Sequence, residues 1–117
     1  MSRITIACIQ PPCLDETSDA AHQHMLETGF ALLEEALKKD TAFCCLPEFF
    51  NVFGAHPKNY CTLAENYAAL LERTAILAAQ HRSYIVLPML VPSENTYRNR
   101  AYLIAPDGQI LGHYDKV

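Results

Sequence analysis

Ala42-Phe43-Cys44-Cys45-Leu46-Pro47-Glu48-Phe49-Phe50 is the stretch on which the fold turns. A short apolar run leads into a proline, and a carboxylate follows at once. With no polar alternation, such a run reads as a strand buried on both faces, as in parallel sheets. Pro47 closes it, because a proline offers no N–H to the ladder. Glu48 therefore stands just past the strand's carboxyl end, where open α/β sheets gather reacting groups.

Toward the N-terminus, Ile4-Thr5-Ile6-Ala7-Cys8-Ile9 is another such run, ended by Gln10-Pro11-Pro12. Asp15 to Asp19 is rich in capping and acidic residues, which suit the positive end of a helix dipole. Met25, Gly29, Leu32, Leu33, Ala36 and Leu37 then recur at helical spacing and predict a helix over about 19–39. Gly29 costs such a helix up to ~1 kcal/mol against alanine, which points to close packing there.

Toward the C-terminus, residues 51–61 have no clear period and read as a loop. Thr62-Leu63-Ala64-Glu65 carries a capping box and predicts a helix start, with the helix running to about His81. Tyr84-Ile85-Val86-Leu87 is the third strand, closed by Pro88, and a polar loop is expected over 92–96. A strand from about Arg98 to Ala105, the turn Pro106-Asp107-Gly108 and a return arm Gln109–Tyr114 complete a hairpin. The order β-α-β-α-β-β-β defines an α/β fold with parallel strands and right-handed crossovers. Two helices can shield one face of such a sheet, or half of each. A second sheet or another chain is expected over the remainder, and the chain alone is expected to self-associate through it.

Composition narrows the function. The 117 residues suffice for one domain, and 50% apolar with 19% charged residues is ordinary for a soluble globular chain. A net charge of −4 without a basic cluster gives nucleic acid no footprint. Ile4–Ile9 is too short for a secretory leader or a bilayer span, so no membrane association and a cytoplasmic location are expected. The five cysteines are odd in number and three lie inside apolar runs, which implies reduced thiols. There is no CxxC pair, and His22 and His24 do not share a helix face, so no metal or cofactor is expected. Gln10-Pro11-Pro12-Cys13 replaces the glycine-rich turn that a nucleotide-binding module would need.

The chain closes on His113-Tyr114-Asp115-Lys116-Val117, with an amine just past the last strand. If Lys116 meets Glu48, a buried carboxylate beside an ammonium stays ionised at neutral pH and can take a proton from a nucleophile. The ammonium can stabilise a tetrahedral oxyanion. The pair still lacks a nucleophile.

The prolines after Ile4–Gln10, then Leu46-Pro47-Glu48-Phe49, Tyr97-Arg98-Asn99-Arg100-Ala101, Asp107-Gly108-Gln109-Ile110 and Tyr114-Asp115-Lys116-Val117 occur in one order along the whole chain. Together they resemble the nitrilase superfamily of carbon–nitrogen hydrolases, in its N-terminal portion. The resemblance implies the N-terminal half of an α-β-β-α sandwich and a Glu-Lys-Cys triad. Glu48 would be the general base and Lys116 the cation that steadies the tetrahedral intermediate. Phe49, Asn51 and Asn99 would contact substrate, with weaker claims for Phe50, Phe53, His56 and Tyr60. The implied substrate is a small amide, nitrile or carbamoyl compound, and a homo-oligomer is expected.

In that family the nucleophilic cysteine follows the lysine, and here the sequence ends one residue after Lys116. Cys8, Cys44 and Cys45 read as core residues of strands. Cys13 and Cys61 lie in loops without an activating partner. Residues 1–117 are therefore expected to be a partial domain that does not turn over alone. The alternative is an inactive half-fold that acts in binding or assembly.

Overall fold

The apolar runs pair side by side, and their neighbours decide which face each residue shows. The structure is a computed structural model that describes residues 3–117. Its elements are β1 (Ile6–Cys8), α1 (Asp19–Leu37), β2 (Phe43–Cys45), a 3-10 turn (Pro57–Asn59), α2 (Tyr60–Glu65), α3 (Tyr67–His81), β3 (Tyr84–Ser93), β4 (Thr96–Ile104) and β5 (Ile110–Asp115). They form a five-stranded sheet in the order β1-β2-β3-β4-β5. The first three strands are parallel, and β4 and β5 join antiparallel. This is the expected α/β order, with one helix broken in two.

Registered partners share a face. Ala7, Cys44, Ile85 and Ile104 form one row on the same side as Leu87, Met89 and Val91. That face meets Phe30, Leu33 and Leu37 of α1 and Leu77 and Ala78 of α3 in one buried core. Both helices thus cover the same face, because the parallel strands advance across the sheet in one direction and each crossover has the same hand. The opposite face carries Ile6, Cys8, Phe43, Cys45, Tyr84, Val86, Leu103 and Tyr114, and Ile6 and Tyr114 are 65% and 67% exposed.

Ser18 caps α1, its hydroxyl accepting from the Ala21 N–H at 3.0 Å. The capping box expected at Thr62–Glu65 does not form. Pro57 and the His56 ring, which accepts from the Lys58 N–H at 3.1 Å, start a 3-10 turn that runs directly into α2. Thr62 and Glu65 therefore lie inside a helix already begun by the fixed φ of proline. The chain breaks at Asn66, and α3 starts there without a side-chain cap.

Pro88 does not close β3. Its carbonyl accepts from the Phe50 N–H on the β2 side, so its missing N–H faces that side too, where β2 has already ended. The antiparallel bonds to β4 are spared, and β3 continues to Ser93. The expected polar loop over 92–96 shrinks to the turn Glu94-Asn95, with Glu94 at φ 55°. The second hairpin turns at Gly108, whose φ of 86° favours glycine.

Gly29 explains its own cost. A Cβ there would lie 2.5 Å from Cε1 of Phe50, a buried ring held edge-on against Phe30. Gly29→Ala gains ~1 kcal/mol of helix propensity but overpacks a full core at ~1–3 kcal/mol. We expect a net loss of about 1 kcal/mol in urea unfolding. A variant as stable as the parent would mean that the Phe50 ring yields freely.

Candidate active site

Strand β2 ends at Cys45, and Pro47 carries the chain onto the rim at the carboxyl end of the sheet. Phe49 sits at φ 57°, a left-handed conformation that is strained for a bulky side chain. The turn is held because the Phe50 N–H reaches the Pro88 carbonyl at 2.9 Å and the Phe50 side chain is buried. Glu48, between Pro47 and this turn, projects over the face that the helices leave open.

Lys116 arrives from the other end of the chain. The β4–β5 ladder runs one step past β5, with the Lys116 N–H donating to the Asn99 carbonyl at 2.8 Å. Lys116 Nζ then donates to Glu48 Oε1 at 2.8 Å, although the two residues lie 68 positions apart. Asn99 Nδ2 donates to the same oxygen at 2.6 Å. Both bonds fall on Oε1, so Oε2 is the oxygen able to receive a further donor. Glu48, Asn99 and Lys116 line an open cavity of about 450 Å³ with Pro88, Ala101 and Tyr114.

The expected burial of Glu48 is absent from this chain: its side chain is 51% exposed and that of Lys116 is 64% exposed. The ammonium still does the work expected of it, and the exposure removes a desolvation cost that would have opposed ionisation. The Lys116 ammonium first, and the Asn99 amide second, hold the Glu48 carboxyl below its ordinary range. The same bond holds the Lys116 ammonium above its own. The lowered carboxyl contributes stability above the ordinary glutamate range and loses it as pH falls through the lowered value. The raised ammonium contributes below the ordinary lysine range and loses it as pH rises through the raised value. The pair is therefore intact across neutral pH. Asn99→Ala should move the Glu48 midpoint back up, read by carboxyl-carbon NMR titration, with little change in melting because the pair is exposed. An unmoved midpoint would show that the amide does not act on the carboxylate.

On the opposite face, Arg100 grips Asp115 with two bonds, Nε to Oδ1 at 2.6 Å and Nη2 to Oδ2 at 3.0 Å. The pair holds Asp115 below its ordinary range. This fork locks β5 to β4 immediately before Lys116 and so fixes where the lysine leaves the sheet. Both residues lay in the quoted motifs, but sequence reasoning gave them no task. Their adjacency to Asn99 and Lys116 was the available signal.

The structure gives Asn51 other work. It is buried, its Nδ2 donates to the Leu90 carbonyl at 2.8 Å, and its Oδ1 accepts from the Leu90 N–H at 2.9 Å. Its amide stands in for the strand that β2 no longer supplies, and the side chain is buried and does not line the cavity of Glu48 and Lys116. Its carbonyl accepts from His22 Nε2 at 2.9 Å, which requires the proton on that nitrogen. Phe49 is half-buried beside the rim, and His56 serves as a turn cap.

The carbon-nitrogen hydrolase family model matches residues 5–117, so the chain belongs to the carbon-nitrogen hydrolase family. Among solved structures it is similar to a carbon-nitrogen hydrolase from Helicobacter pylori G27, at 22% identity and TM-score 0.75, covering 97% of this chain and 39% of that one. It is also similar to an amidase of the nitrilase superfamily from Nesterenkonia sp. AN1, solved as a cysteine-to-serine mutant, at 25% identity and TM-score 0.76, covering 99% and 44%. Another structure of that amidase, a glutamate-to-glutamine mutant, shows Michael addition of acrylamide at its active site cysteine, at 24% identity and TM-score 0.75, covering 98% and 44%. The chain thus spans about two-fifths of the length of these relatives. No curated protein matches. The fold is the N-terminal half of the nitrilase-type sandwich, and among the described residues no helix is long and apolar enough to cross a membrane.

Proposed function

We propose that Glu48 and Lys116 are the base and the oxyanion-stabilising cation of a hydrolase acting on non-peptide carbon–nitrogen bonds of small amides, nitriles or carbamoyl compounds. The observation that carries this is the 2.8 Å contact between Lys116 Nζ and Glu48 Oε1 on one open cavity. No cysteine lines that cavity. On this reading the attacking sulfur is supplied by polypeptide other than the described residues.

Glu48, ionised at neutral pH, takes the thiol proton through Oε2 as the sulfur attacks the substrate carbon. A free thiol with a pKa of about 8.5 is mostly protonated at that pH and needs such a base. Lys116 faces the negative charge that grows on the carbonyl oxygen or nitrile nitrogen. With an amide or carbamoyl substrate the protonated Glu48 returns its proton to the departing amine or ammonia; with a nitrile it protonates the nitrogen to give a thioimidate, to which water must add before ammonia leaves. Water then releases the acyl group from the thioester by the same base. Asn99 holds the carboxylate in place through this cycle.

The test is ammonia release from small amides, ureides and nitriles, by the chain itself and by the product of any open frame that continues past codon 117. Turnover only with the continuation supports the reading. Turnover by residues 1–117 alone would overturn the external thiol, and none by a continuing, folded product would overturn the hydrolase.

A further inference from the structure

The turn that carries Glu48 is strained, and α1 as well as the sheet holds it. Phe49, the next residue, sits at φ 57°, a state that a bulky residue keeps only where its surroundings fix it. Two anchors come from β3: the Pro88 carbonyl on the Phe50 N–H, and the Leu90 backbone on the Asn51 amide. A third comes from α1.

Ser18, His22, Met25 and Gly29 follow one another at helical steps of three or four and so form one stripe. The loop after Glu48 lies along that stripe in the reverse direction. At one end the Ser18 N–H donates to the Gly54 carbonyl at 3.2 Å, and a Cβ on Gly54 would meet the Met25 sulfur. At the other end Gly29 makes room for the Phe50 ring. Between them His22 Nε2 donates to the Asn51 carbonyl at 2.9 Å, from 29 positions away. Ser18 acts through its backbone, and Met25 and Gly29 act through shape. Of the four, only His22 gives the loop a side-chain hydrogen bond.

Asn51 is thus pulled from two sides, its amide toward β3 and its carbonyl toward α1. With both directions fixed, the short span back to Glu48 loses most of its freedom. The carboxylate is then presented to Lys116 and Asn99 in one place.

We propose that His22 is a positioning residue for Glu48, its bond to the Asn51 carbonyl keeping the carboxylate within reach of Lys116 and Asn99. It touches no reacting atom. Its value to catalysis rests on Glu48 being the base, as proposed above, but the positioning itself is measurable in this chain without a substrate.

The test is a carboxyl-carbon NMR titration of Glu48 in the 117-residue chain, with thermal unfolding alongside. His22→Met fills similar space without a donor, and the Glu48 midpoint should rise from its lowered position toward the ordinary glutamate range. His22→Gln carries an amide N–H at matching reach and should restore the parental midpoint. Both replacements are good helix formers, so α1 itself is little changed. Ser18→Ala removes the helix cap and is the control: Tm should fall while the Glu48 midpoint stays in place. A further readout needs no variant. Long-range proton–nitrogen NMR of neutral His22 should show the proton on Nε2. An unmoved midpoint in His22→Met, a glutamine variant no better than methionine, an equal shift in Ser18→Ala or a proton on Nδ1 would overturn the assignment. Ammonia release is a separate measurement, so a failure here is distinct from a failure of the hydrolase reading.

Discussion

Under the proposed mechanism, Glu48→Gln is expected to lower kcat/KM for amide hydrolysis by about 10²–10⁴-fold in any longer product of this frame that turns over. The glutamine keeps the size of the side chain and can still accept from Lys116 and Asn99 through its carbonyl oxygen. It cannot take a proton from a thiol near neutral pH. The loss should therefore fall on the chemical step, with kcat and kcat/KM reduced together. Stability should hardly change, since the Glu48–Lys116 contact is exposed and such pairs contribute little. Steady-state ammonia release and thermal unfolding measured side by side separate the two effects. A variant with near-parental turnover would remove Glu48 from the mechanism, while a variant that unfolds would place it among the structural residues.

Asn51→Ala is expected to give the opposite pattern. Its amide is buried and satisfies both the N–H and the C=O of Leu90 at the point where β3 has lost its β2 neighbour. Alanine leaves two backbone groups without partners, each costing about 1–3 kcal/mol. The expected loss is about 2–4 kcal/mol in chemical denaturation, a fall of roughly 10 °C or more in Tm for a domain of this size. Asn51→Asp should fare no better, because it sets a carboxylate oxygen against the Leu90 carbonyl. A substrate-contacting asparagine would instead tolerate alanine with only a change in KM. Equal stability of parent and Asn51→Ala would restore that role.

Local pattern carried much of this protein. The apolar runs around Ile6, Cys44 and Ile85, the helical spacing from Met25 to Leu37 and the turn at Gly108 each express a preference that needs only neighbouring residues. Glu48 after Pro47 and Lys116 after the last strand were legible in the same way, as charged groups placed at strand ends. Motif order alone also implied the family, which the match over residues 5–117 establishes.

Other features depend on which residues the fold brings together. Thr62–Glu65 has the letters of a helix start, yet Pro57 begins the helical path upstream and the cap is lost. Pro88 looks like a strand terminator until the β2 side beside it proves empty of strand. Asn51 looks like a rim residue until its amide pairs with β3. The 2.8 Å meeting of Glu48 with Lys116 depends on an antiparallel return whose register is held by the Arg100–Asp115 fork on the far face. Apolar periodicity specifies that a strand forms and that both its faces avoid water. Its partner, register and covered face are settled by contacts distant in sequence, which exist only once the chain has closed on itself.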